Sequence, residues 1–561
     1  MKRARILGVG DKNGTAAAEV MDIREIEPGS MNPLMVPSIL ELVLLSLPLQ
    51  PLKDCKAVCS LWHQEVDRIM KRLKTIKMIK DDYLEVDKVL GGAKYSSNIL
   101  SQLHCKECCT SNDKFEKLLI FKGTFLNQLT LERCHLNVNS FMYMVLTDGF
   151  PYLSILTLRQ NEYVDIKGRK TIFIPKDGEE ELKFKSLKVL EIDERGTETQ
   201  TSLHAIAEMC PSLQKLTHSN CPIPARNRNS SVNLSCLNFL QLAPIDGRKM
   251  EFQYFDTLVD LKLKRLKTLF LYGMTPGGKK RTNSLHKFLK SVSSSVVSLH
   301  LGQKILYNPE YQSNAPSPFP ISMNNLKRIS IGPGFIHSLK FLDKLPCVTS
   351  FTCTRQDSKD WETIVNKGVP KSTTIVGSLD LGTITAGPLL KIAGAFPSLC
   401  RLELNVSRIQ NHDELFRTIC GGFSQLQILN IYDISNQNIL TDTGVTGIAS
   451  LELEALKNST GTKGKPKREF SYIGDLKCLI DLRLQYICGN LTDLSVFYGI
   501  QELPSIFALD LSKSLVSDSA LTVLSSSATN LSVLYLRDCK NITSKAIKQF
   551  IAKRPNVQVR L

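Results

Sequence analysis

The residues of this chain best suited to chemistry are a short group of thiols and one imidazole. Cys105, Cys108 and Cys109 lie close together, and Cys134 and His135 follow downstream. Zinc prefers these ligand types, but only one Cys-x-x-Cys pair is present and a second pair is missing. Because Cys134 also occupies a fixed position in the repeat described below, it is poorly placed as a ligand. We therefore predict no metal site.

No other arrangement of residues in the sequence supports catalysis. A catalytic cysteine needs a neighbouring base in a cleft, and a serine hydrolase needs a nucleophile turn; the chain shows neither convincingly. Gly8, Gly10 and Gly14 resemble a phosphate loop only loosely, since no Gly-Lys-Ser/Thr follows them. We predict a protein with no catalytic residues and no cofactor, and hence a binding protein rather than an enzyme.

The elements that position these residues follow from one repeated spacing, Leu-x-x-Leu-x-Leu-x-x-Cys/Asn. It is complete at Leu126, Leu129, Leu131 and Cys134. Most steps between successive copies match the period of a leucine-rich repeat. Sixteen candidate units begin at Leu126, Leu153, Leu187, Leu213, Leu237, Leu266, Val296, Leu326, Val348, Val376, Leu399, Leu426, Leu479, Ile506, Leu531 and Val557.

The spacing has a simple physical meaning. A strand points alternate side chains to opposite faces, so the second and third leucines of a unit face inward together. The Cys or Asn sits where the chain bends away, and it can bond backbone groups that the bend leaves unpaired. The sequence therefore predicts an α/β leucine-rich-repeat solenoid, an open horseshoe with a parallel sheet on the concave face and helices outside.

The composition of the chain indicates its cellular compartment and the charge of its partners. The chain has 561 residues, 16 cysteines and a formal net charge of +17. The cysteines are scattered and no apolar signal segment precedes them, so we expect free thiols in the cytoplasm, the nucleus or both. The longest dense apolar run is too short to cross a bilayer, and we predict no membrane association. The positive charge favours acidic partners.

Four segments follow from these patterns. Residues 1–32 show no sustained period and predict a flexible arm. Residues 33–75 predict a module of short helices, and residues 76–125 a helical linker and N-terminal cap. Residues 126–561 form the predicted solenoid, interrupted at about 456–470 by a basic insertion that we expect to be disordered.

The helical module has an unusual first helix, since Ile39 to Leu47 leave almost no polar face. Such a helix must be buried, and a module of this size is too small to bury it alone. Val36-Pro37, Val43-Leu44, Leu47, Leu52, Cys55, Val58-Cys59 and Trp62 resemble the F-box motif, although the usual opening Leu-Pro is here Val-Pro. Together with the repeats, the chain resembles the F-box and leucine-rich-repeat proteins.

That resemblance implies a substrate receptor of an SCF-type cullin-RING ubiquitin ligase. The module would dock on the Skp-type adaptor, and through it on the cullin and RING subunits, while the repeats select the substrate. The alternative is an N-terminal cap that packs on the first repeat and binds nothing. The residues implied in adaptor binding are Pro37, Val43, Leu44, Leu47, Leu52, Val58 and Trp62.

Substrate binding is predicted on the concave sheet, where residues between the buried leucines point outward. Arginine and tyrosine suit interface hot spots, and arginine matches carboxylate and phosphate groups. We expect the C-terminal units to bind an acidic or phosphorylated protein segment, unless the row is an ordinary polar face. The competing function is a scaffold that binds an acidic protein, or less favourably nucleic acid, without any ligase. The predicted contacts are Arg401, Tyr432, Arg483, Tyr535 and Arg537.

Overall fold

The structure is a computed structural model. It describes residues 40, 55–72, 75–79, 102–108, 126–137, 150–164, 184–193, 203–221, 234–244, 252–273, 279–302, 322–332, 338–353, 358–370, 376–407, 409, 411–433, 440–458 and 466–561. Among these residues, no helix is both long and apolar enough to span a membrane.

Twenty strands and twelve α-helices are described. The strands are β1 Thr75–Ile79, β2 Gln102–Lys106, β3 Gln128–Glu132, β4 His135–Asn137, β5 Ile155–Arg159, β6 Glu162–Val164, β7 Val189–Asp193, β8 Lys215–Cys221, β9 Phe239–Pro244, β10 Thr268–Leu271, β11 Ser298–Leu301, β12 Arg328–Ile331, β13 Ser350–Cys353, β14 Ser378–Asp380, β15 Arg401–Asn405, β16 Ile428–Tyr432, β17 Asp481–Gln485, β18 Ala508–Asp510, β19 Val533–Tyr535 and β20 Gln558–Arg560. The helices are α1 Ser60–Arg72, α2 Leu203–Met209, α3 Phe252–Asp260, α4 Lys279–Val292, α5 Ser358–Lys367, α6 Ala386–Ala395, α7 His412–Gly422, α8 Asp442–Thr446, α9 Ser450–Asn458, α10 Asp493–Tyr498, α11 Asp518–Ser527 and α12 Ser544–Lys553.

One parallel sheet of 18 strands runs through the molecule. Each of its strands pairs in parallel with the next along the chain, from β1 to β20, and only β4 and β6 form a separate two-stranded sheet. Parallel neighbours require a crossover between them, and the described helices from α2 to α12 lie in such crossovers. The predicted α/β leucine-rich-repeat solenoid is confirmed, and a strand follows each of the sixteen predicted unit starts.

The repeat spacing fills one continuous core. In β3 the side chains of Leu129 and Leu131 are buried and their neighbours face the opposite side. The same core continues from Leu103 to Val557. Each unit alone has one uncovered apolar face, so stacking the units provides the stability.

The Cys/Asn position works as the sequence predicts. The residue after the strand takes a left-handed conformation, with φ of 54° at Arg133 and 53° at Gln160. The chain then turns, and the next side chain bonds the freed backbone. Asn161 accepts from the Cys134 N–H at 2.9 Å and donates to the Leu131 carbonyl at 3.0 Å, joining two repeats.

A second set of bonds, which we call the carboxylate ladder, joins the helix N-termini of the C-terminal repeats. In each step an aspartate accepts from the backbone N–H and the hydroxyl of a Thr or Ser in the next repeat, where that residue is the N-cap of a helix. Asp442 accepts from the Thr492 N–H at 2.8 Å and its hydroxyl at 2.6 Å. The steps are Asp413 to Thr441, Asp442 to Thr492, Asp493 to Ser517 and Asp518 to Thr543.

The prediction of a helical linker over 76–125 is wrong where the structure describes that segment. Thr75–Ile79 and Gln102–Lys106 are strands, and they pair with each other and with β3 in register. In the second of them Leu103 and Cys105 are buried while the alternate residues face outward. This period of two is the strand signature, so the sheet begins at Thr75 and not at the unit of Leu126.

The insertion at about 456–470 is also more ordered than predicted at both described ends. Helix α9 continues to Asn458. On the other side, the Arg468 guanidinium pairs with Glu502, donates to the Tyr498 carbonyl at 3.2 Å and lies 3.8 Å from the Tyr472 ring centre. Residues 459–465 lie outside the described part of the chain, as does the predicted arm over 1–32.

Candidate functional site on the concave sheet face

The concave face presents three columns of side chains, one for each outward position of the strands. Parallel pairing in register aligns the middle column at intervals of about 4.8 Å. In the C-terminal repeats this column reads Asp380, Glu403, Asn430, Arg483, Asp510, Tyr535 and Arg560.

Four of the five predicted substrate contacts lie on this face, but they do not form one row. Arg483 and Tyr535 share the middle column, whereas Arg401 begins β15 and Tyr432 ends β16. Arg537 lies two residues beyond the end of β19, where its backbone N–H donates to Ser512. The prediction of a common face holds for four residues, and Arg537 sits at its edge.

Two of the predicted arginines, Arg401 and Arg483, are paired with carboxylates within the protein. Arg483 donates from Nε and an Nη to the two oxygens of Asp481, at 3.0 and 2.8 Å. Arg401 lies 3.4 Å from Glu403. A bidentate pair already uses the guanidinium geometry that would recognise a phosphate or carboxylate of a partner. An acidic substrate would therefore have to displace an internal carboxylate.

The same repeats also carry outward carboxylates, and these affect the pKa values of their neighbours. Burial, followed by the nearby Glu403, raises the pKa of Asp380 to about 6. Burial and then Asp380 and Glu403 raise the pKa of Tyr432. Three of the four outward carboxylates, Asp380, Glu403 and Asp510, stand in the middle column. This surface is thus mixed in charge although the whole chain is basic.

A group of aromatic side chains, missed by the sequence reading, lies in the centre of the concave face. We call Phe239, Phe270, Tyr272 and His300 the aromatic patch. Phe270 is its hub, with ring centres 5.5 Å from Phe239, 6.3 Å from Tyr272 and 5.2 Å from His300. All four side chains are half-buried. The signal was available, since in β10 and β11 the rings alternate with buried leucines.

Two of the seven predicted adaptor contacts are described. Val58 has 58 % of its side chain exposed, next to the exposed Cys59, and Trp62 in α1 is half-buried. Leu40 of the preceding segment is buried. Pro37, Val43, Leu44, Leu47 and Leu52 lie outside the described residues.

The thiols considered for zinc belong to the core. Cys105, Cys108 and Cys134 are buried, and burial raises the pKa of Cys105 and that of Cys210. The Cys134 thiol, whose pKa is raised first by its hydrogen bond with Cys108, also contacts the Cys105 carbonyl. Within the described ranges no group of three or more metal-binding side chains is found; Cys109 lies outside them.

No protein-family model matches this chain, and no curated protein matches it. Among solved structures, an internalin (inlF) from Listeria monocytogenes is 13 % identical, with 79 % of this chain and 88 % of that chain covered and a TM-score of 0.32. A complex of Rad7 and Elc1 in yeast is 14 % identical, with 82 % and 78 % covered and a TM-score of 0.28. These scores carry no functional argument, and the fold assignment rests on the sheet itself.

Proposed function

We propose that this chain is the substrate-recognition subunit of an SCF-type ubiquitin ligase. Its helical module docks on the Skp-type adaptor, which joins it to the cullin and RING subunits, and the concave face of the repeats binds the protein substrate. The chain is not an enzyme in this role, because the catalytic groups belong to its partners. It acts in the cytoplasm, the nucleus or both, with its cysteines as thiols.

The observation that carries this proposal is the exposure of the segment that resembles the F-box. Val58 lies mostly outside the core and Trp62 only partly inside it. A helical cap that binds nothing would bury such apolar side chains against the first repeat. An adaptor-docking face must instead leave them available to a partner.

The connection between module and repeats supports the same role. Helix α1 ends at Arg72 and β1 begins at Thr75, so two residues separate them. Strand β1 is then held by five paired positions on β2. A short connection restricts the direction in which the repeats hold a substrate, and transfer between bound partners depends on that geometry.

A scaffold that binds an acidic protein or nucleic acid without a ligase is the second candidate, favoured by the net charge of +17. Binding of nucleic acid through phosphates would weaken steeply with salt. Salt-sensitive capture of DNA or RNA, together with failure to bind the adaptor, would favour the scaffold.

The test is a pull-down of the purified full chain with the Skp-type adaptor. We expect stoichiometric capture by the wild type, and loss of capture by Val58→Asp and by a Leu44→Ala, Leu47→Ala double variant. The matched control is Leu451→Asp, which places the same charge on a leucine that is 83 % exposed on α9. Equal capture by Val58→Asp and the control, or no capture by folded wild type, would overturn the proposal.

A further inference from the structure

We propose that the aromatic patch is an anchor site for a protein segment that carries an apolar or aromatic side chain flanked on both sides by acidic residues. This deepens the substrate-binding part of the proposed function and does not depend on the ligase. It also places the binding site in the centre of the concave face, away from the arginines expected from the sequence.

The rings of the patch have no role in the core. In the same strands Leu240, Leu269 and Leu299 are buried and fill the space between sheet and helices. Phe270 and His300 point to the opposite side, where equivalent positions in neighbouring strands are Gln241 and Ser330. Half-exposed aromatic rings grouped on a concave surface are typical of an interaction site.

The protein leaves space for these rings. Tyr272 and His300 approach to 5.3 Å between ring centres, and the residue beside both is Gly302. A Cβ atom at Gly302 would lie 2.9 Å from His300 Nε2 and 3.1 Å from Tyr272 Cδ1. Any side chain at this position would therefore displace the rings. Burial lowers the pKa of His300, which keeps its ring neutral and suited to apolar contact.

Two cations frame the patch. Lys215 lies on one side, with its Nζ 4.9 Å from the Phe239 ring centre. Arg328 is exposed on the other side, in the same column of the sheet as Lys215 and Phe239. No carboxylate of the described residues lies within ion-pair distance of either cation. Both charges are thus available to a partner.

The surrounding strands reinforce this charge pattern. None of the described strands from β8 to β13 contains Asp or Glu. Carboxylates are present on both flanks, with Glu191 and Asp193 on β7 and with Asp380 and Glu403 on β14 and β15. An acidic segment therefore meets no opposing carboxylate on the central strands, whereas the strands on either side carry carboxylates, and this difference favours the central position.

The dimensions favour a peptide over a nucleic acid. Lys215 and Arg328 lie on strands four spacings apart, at most about 19 Å, and an extended chain of about six residues covers that distance. An acidic residue at each end can reach one cation while a central side chain rests on the Phe270 ring. A nucleic acid would need a continuous run of cations for its phosphates, whereas Thr268 and Ser298 occupy the positions between.

The test begins with selection of random 16-residue peptides, displayed on phage, on the full-length chain. We expect enrichment of an apolar or aromatic residue between two acidic ones. A fluorescein-labelled synthetic peptide of the enriched sequence is then titrated by anisotropy. We expect Phe270→Ala to weaken binding at least tenfold, and Arg328→Glu to weaken it several-fold while improving binding of a peptide with lysine flanks.

Three controls keep the outcomes distinct. Arg401→Ala, in the C-terminal repeats, should leave the affinity within twofold. Val58→Asp should also leave it unchanged, so that failure of adaptor capture does not affect this result. Arg328→Glu alters only an exposed side chain and remains informative if Phe270→Ala unfolds.

Enrichment of peptides without the acidic and apolar pattern, or equal binding by Phe270→Ala and wild type, would overturn the inference. So would the absence of any enriched peptide on the folded chain. Binding of a labelled single-stranded oligonucleotide that Phe270→Ala abolishes would also overturn it and assign the patch to nucleic acid.

Discussion

The central and C-terminal repeats share one sheet, but they differ in whether their outward charged side chains pair with carboxylates of the protein. In the C-terminal repeats Arg401 and Arg483 of the concave face pair with carboxylates on their own strands, and the carboxylate ladder ties the helix ends together. In the centre, aromatic rings stand half-exposed between Lys215 and Arg328, which have no carboxylate among the described residues. The paired charges and the ladder stabilise the C-terminal repeats. The half-exposed rings and the two cations of the centre can instead contact a partner.

The N-terminal strands support this contrast. There too the outward charges are paired, with Arg159 at 2.9 Å from Glu191 and Lys106 at 3.3 Å from Glu132. The patch therefore lies between strands on which cationic side chains pair with carboxylates of the protein itself. This teaches that an arginine at an outward strand position does not by itself mark a binding site, because a carboxylate on the same strand or on a neighbouring one can neutralise it.

The largest expected change in the free energy of unfolding comes from removing one aspartate of the carboxylate ladder, which tests whether the ladder stabilises the C-terminal repeats. Asp442 is 6 % exposed and accepts from Thr492 and from the Ser495 hydroxyl. Asp442→Ala leaves these buried donors unsatisfied, and we expect the free energy of unfolding to fall by about 3 kcal/mol. Denaturant titration measures it. In the more exposed step, Asp518→Ala should cost about 1 kcal/mol; equal losses would show that burial does not set the strength of the ladder.

A smaller effect is expected where the insertion rejoins the repeats. Arg468→Met removes the bonds to Glu502 and the Tyr498 carbonyl, and the contact with Tyr472, and we expect a loss of about 2 kcal/mol. Hydrogen exchange over 466–475 should also become faster. Lys467→Met, at the neighbouring exposed position, is the control and should change neither quantity. An unchanged exchange rate in Arg468→Met would contradict the ordering attributed to this arginine.

Much of the fold could be predicted from the sequence because the buried leucines of each repeat are set by local spacing. The strand that follows Leu153 or Leu531 needs no distant information. Strand β2 was missed although its frame is present, with Leu103, Cys105 and Cys108 in the places of Leu129, Leu131 and Cys134. Cysteine replaces leucine there, and the sequence analysis weighs these thiols as zinc ligands without assigning them to a repeat.

The candidate site was less predictable because it depends on which side chains contact one another, both within a strand and between strands. The sequence placed Arg401 and Arg483 on the outward face correctly. The pairing of Arg483 with Asp481 belongs to the alternative of an ordinary polar face, which the sequence leaves open because side-chain geometry rather than spacing decides it. The aromatic patch joins residues of β9, β10 and β11, and its hub is visible only when these strands are aligned in register.

The raised pKa of Asp380 provides a third test of the difference between the C-terminal and central repeats. Burial and Glu403 raise the pKa of Asp380 to about 6, so the folded state binds this proton more tightly than the unfolded chain, whose carboxyl has its ordinary pKa near 3.8. Stability attributable to Asp380 is therefore full below about pH 4 and decreases as the pH rises through about 6. The substitution Asp380→Asn removes this loss of stability at high pH, because the amide does not titrate.

We expect Asp380→Asn to be more stable than the wild type by about 1 kcal/mol at pH 7.5, with the difference vanishing near pH 4. Chemical denaturation at a series of pH values gives both numbers. Because the Asn variant retains an oxygen that can accept from the Gly382 N–H, shape and hydrogen bonding are largely conserved. A difference that stays constant with pH would mean that Asp380 does not titrate in this range.

The smallest expected change in peptide affinity comes from substituting two arginines that the sequence predicted as substrate contacts. An Arg483→Ala, Arg537→Ala double variant should keep its affinity for the segment bound at the aromatic patch within twofold. Arg483 is already engaged by Asp481, and Arg537 lies beyond the end of β19. Anisotropy with the peptide selected on the full chain measures this affinity. A tenfold loss would return substrate binding to the C-terminal repeats, since breaking one internal pair is expected to change stability by less than about 1 kcal/mol and so cannot act through the fold.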